Sequence, residues 1–575
     1  MRKIFPILFL LAAALPAFAE IVPMTRAKEE AEQFLQRVRP GRAPQLKLLS
    51  EGSKLARSAA DAPEYYIFAD EGGGFVIAAG DNTVPAILGY STTSTFKTEG
   101  MPENLRGWLD MWERIVTGTR QSGAAPIQAP LQATGTRKEL ETALWNQGHP
   151  FNLQCIMMDD GRPVTGCTAT AIAIAMRYHQ WPVAGTGTLP SYSFSDGNTG
   201  KNYVVPAQDL GRPYAWDKMP LTKYSTSWTD EQNEEVSILM RDVGVMLQSH
   251  YSPSGTGAYL PNAVPTLAKF MGYDKSLYSD DKSLYDDVKD WVAVLKNNID
   301  QFGPVLYAAY TSDVNAAGHA FILDGYDEYD NLRINWGWGG NSNGFFVMPS
   351  FNEYTEGHHA VLGLKRDEGG SAPDDLQIYN LGISSSASSF VVGKPFTMSC
   401  RSVANYGMDT FRGETAFAKF DRNGVMEELI SEPDSLILNS YYILSLTDVD
   451  CVVTTPIKAG DVIRLLYRSE RTPEWTAVRY DHETMAIGVF PIGDMVILED
   501  IVSVSYDAGT GILTVSFKDT ASCELRLNGS PVTDGVTDKG DSVTIDAHQL
   551  APATYTLHLQ RGDQQRDISL KFGLK

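Results

Sequence analysis

The sequence predicts a multidomain protein in which two α+β domains are followed by two all-β, sandwich-like modules. Two stretches rich in Gly, Ala and Pro, residues 117–135 and 366–375, are typical of exposed linkers and divide the chain. Apolar residues recur at helical spacing before residue 365, whereas short apolar runs separated by turns fill the remainder. The predicted boundaries are residues 20–137, 138–365, 376–493 and 494–575, with residues 366–375 as a linker.

The composition restricts the class of partner. The 575 residues include 70 acidic and 48 basic side chains, which give a formal charge of −22. An acidic chain without a basic run argues against nucleic acid and anionic membrane surfaces as partners. A hydrophobic content of 43% fits a globular protein with several cores.

Residues 1–19 predict an export signal. Arg2 and Lys3 give a basic start, an apolar run follows, and Ala17 and Ala19 are the small residues expected before a cleavage site. No later apolar run is long enough to span a bilayer. The expected product is exported and has no membrane span.

The first domain, residues 20–137, is predicted to be α+β. Apolar residues three and four positions apart predict helices over residues 25–38 and 103–115. Three apolar runs between them predict strands: residues 65–68, 75–79 and 86–90. The linker that ends this domain is a natural cleavage region.

The second domain contains a helix that is apolar on most sides. From Thr168 onward the chain is rich in Ala, Ile and Met, and Pro182 ends the segment, so we expect a buried helix. Cys167 lies at its N-terminus, where backbone N–H groups and the helix dipole favour a thiolate. Cys167 is therefore a candidate nucleophile, although a lone cysteine in such a position is more often a small buried apolar residue.

Two later strands carry the partners that a thiolate needs. Residues 318–326 include His319, residues 332–340 include Asn335, and an antiparallel hairpin is expected to join them. A turn centred near Asp327 would place His319 and Asn335 directly opposite each other. An imidazole can act as base and cation, and an amide oxygen can orient its ring.

Three other residues compete for these roles. Asp324 is a rival orienter, but an offset of five residues in a strand places it on the opposite face from His319. His358 and His359 also follow a glycine beside an apolar run, but they come after Asn335 and just before the second linker. We therefore favour His319 and Asn335.

Two further residues are candidates for supporting the reaction. The indole of Trp336 can shield a hydrogen bond between His319 and Asn335 from water, or it can simply fill a core. Gln147 can donate to an oxyanion alongside the backbone N–H of Cys167, a contribution of about 3 kcal/mol. The alternative for Gln147 is an ordinary surface glutamine.

No metal or cofactor site is predicted. None of the 9 His residues falls in a His-Glu-x-x-His pattern, no Cys-x-x-Cys pair occurs, and no phosphate-binding glycine loop follows a strand. Five cysteines are few for an exported chain of this length, so cores rather than disulfides are expected to stabilise it. Cys400 and Cys451 are either a bridge or two free thiols.

Several motifs in order resemble those of the streptopain family of secreted papain-like cysteine endopeptidases. They are Trp145-Asn146-Gln147, Thr165-Gly166-Cys167, Gly318-His319-Ala320-Phe321 and Asn335-Trp336-Gly337-Trp338-Gly339-Gly340. The resemblance covers about residues 140–365 and implies a papain-like α+β fold for residues 138–365. It implies hydrolysis of protein or peptide substrates.

The resemblance also assigns roles to residues. It implies that Cys167 is the nucleophile, His319 the general base and acid, and Gln147 the oxyanion donor. Asn335 and Trp336 support the imidazole by the same resemblance.

Residues 64–90 are similar to the inhibitory prosegment of that family. This similarity implies a self-processing zymogen whose own propeptide is an intramolecular inhibitor. The loop of residues 251–259 is where we expect the substrate pocket and its gate. The C-terminal modules are more like those of Bacteroidetes relatives, and the last module is either a sorting domain or an ordinary adhesion or stability module. The expected location is outside a bacterial cell, at its surface, or in its periplasm.

Two other functions fit parts of the sequence. A papain-like acyltransferase such as a transglutaminase uses the same triad and would incorporate amines rather than cleave peptides. An inactive peptidase-like adhesin would bind through the β modules. The ordered Cys167, His319 and Asn335 motifs favour the endopeptidase over both.

Overall fold

The structure is a computed structural model, and it describes most of the chain. The described residues are 20–52, 63–101, 103–122, 133, 135–197, 199–282, 285, 287–309, 319–348, 358–369, 371–378, 382–387, 390, 392–421, 424–456, 461–480, 487–488, 494–497, 501–507, 512–517, 522–527, 530–533, 535–539, 542–546, 550, 553–561 and 564–572. The predicted export signal, residues 1–19, lies outside them, as does most of the first linker.

In the part of the chain that the structure describes, helices and strands both occur up to residue 365, and only strands follow. Among the described residues the α-helices are α1 (Met24–Val38), α2 (Glu103–Ser122), α3 (Cys167–His179), α4 (Asp230–Met246), α5 (Ala263–Met271) and α6 (Val288–Phe302). The strands up to residue 365 are β1 (Leu46–Glu51), β2 (Tyr65–Asp70), β3 (Phe75–Ala79), β4 (Ile87–Ser91), β5 (Lys138–Glu139), β6 (Thr188–Leu189), β7 (Tyr192–Ser195), β8 (Asn202–Val205), β9 (Gln208–Asp209), β10 (Tyr278–Asp281), β11 (Val305–Ala309), β12 (His319–Tyr326), β13 (Leu332–Asn335), β14 (Gly344–Phe346) and β15 (His359–Leu362). The later strands are β16 (Leu376–Ile378), β17 (Ile383–Ser385), β18 (Phe396–Asn405), β19 (Phe411–Phe420), β20 (Met426–Leu429), β21 (Asp434–Leu438), β22 (Ile443–Cys451), β23 (Asp461–Ser469), β24 (Thr476–Ala477), β25 (Arg479–Tyr480), β26 (Ile487–Gly488), β27 (Asp494–Ile497), β28 (Ile501–Asp507), β29 (Ile512–Phe517), β30 (Ser522–Leu527), β31 (Ser530–Val532), β32 (Val536–Asp538), β33 (Ser542–Asp546), β34 (Ala553–Arg561) and β35 (Gln564–Phe572).

The predicted helices occur, and their ends have local causes. α4 begins after Thr229, whose hydroxyl accepts from the N–H of Gln232 at 3.2 Å while the Gln232 side chain accepts from the N–H of Thr229 at 2.9 Å. This capping box satisfies two backbone donors at the helix start. α2 continues to Ser122, beyond the predicted end at Ile115.

The chain forms two compact units. The first contains residues 1–137 together with the short segments Asp327–Asn331 and Asn341–Val347. The second contains Lys138–Tyr326, Leu332–Gly340 and Met348–Lys575. Both short segments come from the range predicted for the second domain, so the first unit is not continuous in sequence.

The first unit is an antiparallel sheet covered by α1. Strands β1 to β4 follow one another in chain order, and β14 pairs with β4 so that Phe345 lies opposite Tyr90. The buried face of α1 packs on this sheet through Ala27, Ala31, Phe34 and Leu35. Gly89 permits the close approach of β14, because a Cβ there would lie 2.7 Å from the ring of Phe346.

The second unit places α3 against a sheet that has β12 near its centre. β12 pairs with β11 and β13, β15 and β10 follow beyond β11, and β5 pairs with the end of β12. All residues of α3 from Thr168 to Met176 are buried, in the same core as Ala320 and Ile322 of β12. The prediction of a buried helix that ends before Pro182 is confirmed.

The described strands from residue 376 onward form four sheets. Two of them, one containing β16, β17, β18, β22 and β25 and the other β19 to β21, β23, β24 and β27, enclose one apolar core. β27 pairs with β23, and β26 pairs with β35, so strand pairing crosses the predicted boundary between residues 493 and 494. Cys400 and Cys451 are free thiols. The protein is therefore a multidomain α+β protein with many strands.

Candidate active site

Cys167 begins α3, and Gly166 determines how the chain approaches it. Gly166 has a φ of 90°, and a Cβ there would lie 2.8 Å from the carbonyl oxygen of Thr256, so the position requires glycine. The backbone N–H of Ala320 donates to the Sγ of Cys167 at 3.3 Å. The thiol therefore lies beside the start of β12, the strand that begins with His319.

The surroundings of Cys167 favour the thiol over the thiolate. Burial raises the pKa of Cys167, and the hydrogen bonds that Ala320 and Thr168 donate to the sulfur lower it by less. Cys167 lies at the helix N-terminus as predicted, and the local hydrogen bonds there favour the thiolate, but desolvation by burial outweighs them. Ionisation of Cys167 therefore needs a proton acceptor nearby.

β12 and β13 form the predicted antiparallel hairpin, but in a register that differs from the predicted one. Asn335 lies opposite Ile322, so the expectation that it lies directly opposite His319 is wrong. Three residues of a strand span about 10 Å, and His319 and Asn335 are offset by that length along the sheet.

The turn and a bulge cause this register. The Asp327 carboxylate accepts from the N–H groups of Tyr329 and Asn331, both at 2.9 Å, and so stabilises a turn that is longer than expected. The pairing also shifts between Leu323 and Gly325. Neither the longer turn nor the shift in pairing can be inferred from the sequence position midway between His319 and Asn335.

Asn335 is buried, and its amide has specific partners. Its Nδ2 donates to the Oγ1 of Thr142 and to the carbonyl oxygen of Ala143, both at 3.1 Å. Its Oδ1 accepts from the N–H of Gly337 at 3.1 Å. An amide oxygen has two lone pairs, so Oδ1 retains acceptor capacity after this bond.

Asp324, the predicted rival orienter, is connected to Asn335 through Thr142. The hydroxyl of Thr142 donates to the Oδ2 of Asp324 at 2.5 Å, and the Nη1 of Arg333 lies 2.6 Å from the same oxygen. Asp324 is 0% exposed, and burial raises its pKa against the opposing effect of Arg333. No sequence pattern points to Thr142 or Arg333, since Thr142 is 193 residues from Asn335 in the chain.

The glycine-rich segment after Asn335 packs between other parts of the site. The ring centroid of Trp336 lies 5.0 Å from that of Phe321, and Trp336 is buried. A Cβ at Gly337 would lie 3.2 Å from the methyl group of Thr170 in α3. The N–H of Gly339 donates to the carbonyl oxygen of Trp145 at 2.7 Å.

Gln147 lies on the segment that borders the Cys167 turn. Its carbonyl oxygen accepts from the N–H of Thr165, two residues before Cys167, at 3.0 Å. The side chain of Asn146 accepts from the N–H of Gln147 at 2.7 Å, and Gln147 is half-buried. The structure therefore brings the Gln147 segment beside the chain that leads into α3.

The loop of residues 251–259 is hydrogen-bonded to both sides of Cys167. The hydroxyl of Thr256 donates to the carbonyl oxygen of Val164 at 2.6 Å. The hydroxyl of Thr168 donates to the carbonyl oxygen of Ala258 at 2.9 Å. This loop therefore borders the candidate nucleophile.

The two rival histidines have other partners. The Nδ1 of His358 lies 2.8 Å from the hydroxyl of Tyr307, and burial lowers the pKa of His358 to about 3. The Nδ1 of His359 lies 2.7 Å from a carboxylate oxygen of Asp281. Across the described part of the chain, no group of three or more His, Cys, Asp or Glu side chains is arranged to hold a metal ion. No helix within the same residues is long and apolar enough to cross a bilayer.

Comparison with known families gives two matches. The profile of the Peptidase C10 family matches residues 145–346, the range that contains Cys167, His319 and Asn335. The profile of the Spi protease inhibitor family matches residues 19–116, which lie in the first unit.

Individual proteins are also similar to this chain. The thiol protease/hemagglutinin PrtT of Porphyromonas gingivalis is 31% identical over 415 residues, and the match covers 69% of this chain and 46% of the relative. A solved fragment of Prevotella intermedia prointerpain A is 25% identical, with a TM-score of 0.47, and the match covers 56% of this chain and 99% of the fragment. Streptopain of Streptococcus pyogenes is 31% identical over 374 residues, covering 59% of this chain and 90% of streptopain. The chain therefore belongs to the Peptidase C10 family, the streptopain family of cysteine peptidases.

Proposed function

We propose that this protein is a secreted cysteine endopeptidase, made as a self-processing zymogen, that uses Cys167, His319 and Asn335 to hydrolyse peptide bonds. One observation carries the proposal. The N–H of Ala320 donates to the Sγ of Cys167 at 3.3 Å, so the residue next to His319 in the chain already contacts the nucleophile.

The reaction begins from the thiol. His319 accepts the Sγ proton as the sulfur attacks the carbonyl carbon of the substrate, and the resulting tetrahedral adduct carries an oxyanion. The imidazolium returns the proton to the leaving amine, which leaves a thioester on Cys167. Water, deprotonated by the same imidazole, then hydrolyses the thioester. Burial raises the pKa of Cys167 and so opposes formation of the thiolate before the imidazole takes the proton.

Asn335 and Trp336 support His319 in this proposal. The Oδ1 of Asn335 has a lone pair beyond the one used by Gly337, and this lone pair accepts from the imidazole N–H and orients the ring. Trp336 is 1% exposed and excludes water from that hydrogen bond.

Gln147 and the backbone N–H of Cys167 form the oxyanion site. The hydrogen bond from Thr165 to the carbonyl oxygen of Gln147 holds the two segments together. Two such donors, positioned before the charge develops, lower the barrier by a few kcal/mol.

The first unit acts as the intramolecular inhibitor. Its match to the Spi protease inhibitor profile supports this role. The unit also includes Asp327–Asn331 and Asn341–Val347, the two segments that flank residues 332–340 in the chain. We infer that the prosegment, residues 20–137, inhibits by holding these two segments and that cleavage in the linker, residues 117–135, releases them.

The same proposal assigns roles to the remaining segments of the chain. Residues 1–19 direct export, residues 138–365 form the peptidase domain, and the β modules follow the linker 366–375. The product acts outside the cell, at its surface or in the periplasm, on protein or peptide substrates.

The purified full chain tests this function. We expect the wild type, given a thiol reductant, to release an N-terminal fragment and to digest casein, and an epoxide thiol inhibitor to prevent both. Cys167→Ala should do neither, whereas Cys155→Ala, which removes another free thiol of the same core, should behave as the wild type. Casein digestion by Cys167→Ala would contradict the assignment.

A further inference from the structure

We propose that Thr142 and Asp324 are positioning residues, which orient the Asn335 amide so that its oxygen faces the imidazole of His319. The inference rests on the proposed function of Asn335. It arises from a chain of contacts: the Arg333 guanidinium is ion-paired with the Asp324 carboxylate, Thr142 donates to Asp324, and Asn335 donates to Thr142.

The amide of an asparagine has two orientations that differ only in the exchange of oxygen and nitrogen. Only one of them presents an acceptor to an imidazole N–H. If Nδ2 points towards Thr142 and Ala143, Oδ1 points the other way and is available as an acceptor. If Oδ1 points towards them, it is not.

Thr142 determines this orientation because a hydroxyl has a single hydrogen. That hydrogen is donated to the Oδ2 of Asp324 at 2.5 Å, so Thr142 can only accept from Asn335. The carbonyl oxygen of Ala143 likewise requires a donor, at 3.1 Å. Both hydrogens of Nδ2 are thus used, and Oδ1 must lie on the opposite side, where Gly337 donates to it.

Asp324 keeps the hydroxyl of Thr142 pointing in this direction. An ionised carboxylate can only accept hydrogen bonds. A protonated one would donate to Thr142 and reverse the direction of the hydrogen bonds that follow. Arg333 lies 2.6 Å from Oδ2 and favours the ionised form against the effect of complete burial. Arg333, Asp324 and Thr142 therefore act together to orient the Asn335 amide.

Thr142 is held in place by the first residues of the second unit. Lys138 and Glu139 form β5, which pairs with Tyr326 and Gly325 of β12. The N–H of Leu140 donates to the carbonyl oxygen of Asp324 at 2.8 Å. The segment just after the linker thus reaches Asn335, and a mature enzyme that lacked residues 138–143 would lose this orientation.

The experiment compares full-chain variants in two assays. One measures kcat and KM on casein, and the other measures the rate at which iodoacetamide alkylates Cys167, read by mass spectrometry at about pH 6 and about pH 10. Thr142→Val removes the hydroxyl at nearly constant volume, and Thr142→Ser retains it. Thr199→Val is the matched control, because Thr199 donates a similar hydrogen bond to the buried Asp196 at 2.6 Å in another part of the unit.

We expect Thr142→Val to lower kcat about tenfold, with KM changed less than about twofold. Alkylation of Cys167 at about pH 6 should fall by a similar factor, because the imidazole that accepts the Sγ proton is no longer oriented. At about pH 10 hydroxide can take the Sγ proton in place of the imidazole, so the rates of variant and wild type should converge. Thr142→Ser and Thr199→Val should match the wild type in both assays.

Two results would overturn the proposal. In one, Thr142→Val keeps the wild-type kcat and the wild-type alkylation rate at the lower pH. In the other, alkylation falls equally at both pH values, which indicates a loosened fold rather than a misdirected amide. If the wild type does not digest casein while the alkylation pattern appears as expected, the peptidase assignment fails and the positioning role stands. Should Thr142→Val not fold, Thr142→Cys, whose thiol is a weaker acceptor, takes its place.

Discussion

The hydroxyl of Tyr90 donates a hydrogen bond to the carboxylate of Asp327 at 2.8 Å, although 237 residues separate them in the chain. Tyr90 also stacks on Phe345, with ring centroids 5.2 Å apart. Its two partners come from the two short segments that flank residues 332–340. Strand β4 of the prosegment therefore contacts the chain on either side of Asn335 and Trp336.

Replacing Tyr90 by Phe should speed maturation. The change removes the hydroxyl that Asp327 accepts from while it keeps the stacking on Phe345, a loss of about 1 kcal/mol or about fivefold. The measurement is the rate at which the full chain releases its N-terminal fragment. Tyr66→Phe is the control, since that hydroxyl donates to Val22 within residues 20–137 at 3.2 Å. Equal acceleration by both variants would count against the role given to Tyr90.

The stability of the second unit should depend on pH through His358. Burial lowers the pKa of His358 from 6.5 to about 3, so the folded state binds fewer protons than the unfolded state between these values. The contribution of His358 is then complete above pH 6.5 and is lost as pH falls through this window, by up to about 1.4 kcal/mol per pH unit.

Urea unfolding across that window tests this dependence. His358→Gln should flatten the fall in the free energy of unfolding, whereas His149→Gln, at an exposed position, should leave it unchanged. An unaltered slope in His358→Gln would show that another group is responsible.

Gly166→Ala should disable the site. A Cβ at Gly166 would lie 2.8 Å from the carbonyl oxygen of Thr256, and its φ of 90° already disfavours any other residue. We expect casein digestion to fall by about tenfold or more, because the turn before Cys167 must move. Gly187→Ala is the control for backbone strain alone: its φ is 76°, and nothing lies within 4 Å of the added Cβ. Similar losses in both variants would contradict the explanation.

Arg479 should couple the β-sandwich to the peptidase sheet. It lies in β25, and its Nη1 is 3.3 Å from the Oδ1 of Asp280 in β10, a carboxylate that is 2% exposed. Arg479→Met should lower the free energy of unfolding by about 2 kcal/mol, because Asp280 keeps the hydrogen bond from Tyr285 but loses its cation. Adding Asp280→Asn should recover part of this loss in the same urea titration. A double variant as unstable as the sum of its single variants would argue against a direct pair.

The main elements of the site could be predicted from the sequence because their causes are local. The apolar composition after Thr168 predicts a buried helix, Pro182 ends it, and Cys167 follows a glycine at its start. The hairpin that carries His319 and Asn335 is likewise predicted from two apolar runs separated by Asp, Gly and Asn. The register of the hairpin could not be predicted correctly, because it depends on how the Asp327 carboxylate accepts hydrogen bonds from Tyr329 and Asn331 in the turn.

Residue types and their order along the chain are sufficient to identify the candidate nucleophile, base and orienting amide of this peptidase. They do not specify the protonation state of Cys167 or the direction of the Asn335 amide. The first depends on desolvation in a core that is complete only after folding. The second depends on Thr142, which is 193 residues away and meets Asn335 only when β5 pairs with β12. Both properties arise from contacts distant in sequence, which no local pattern contains.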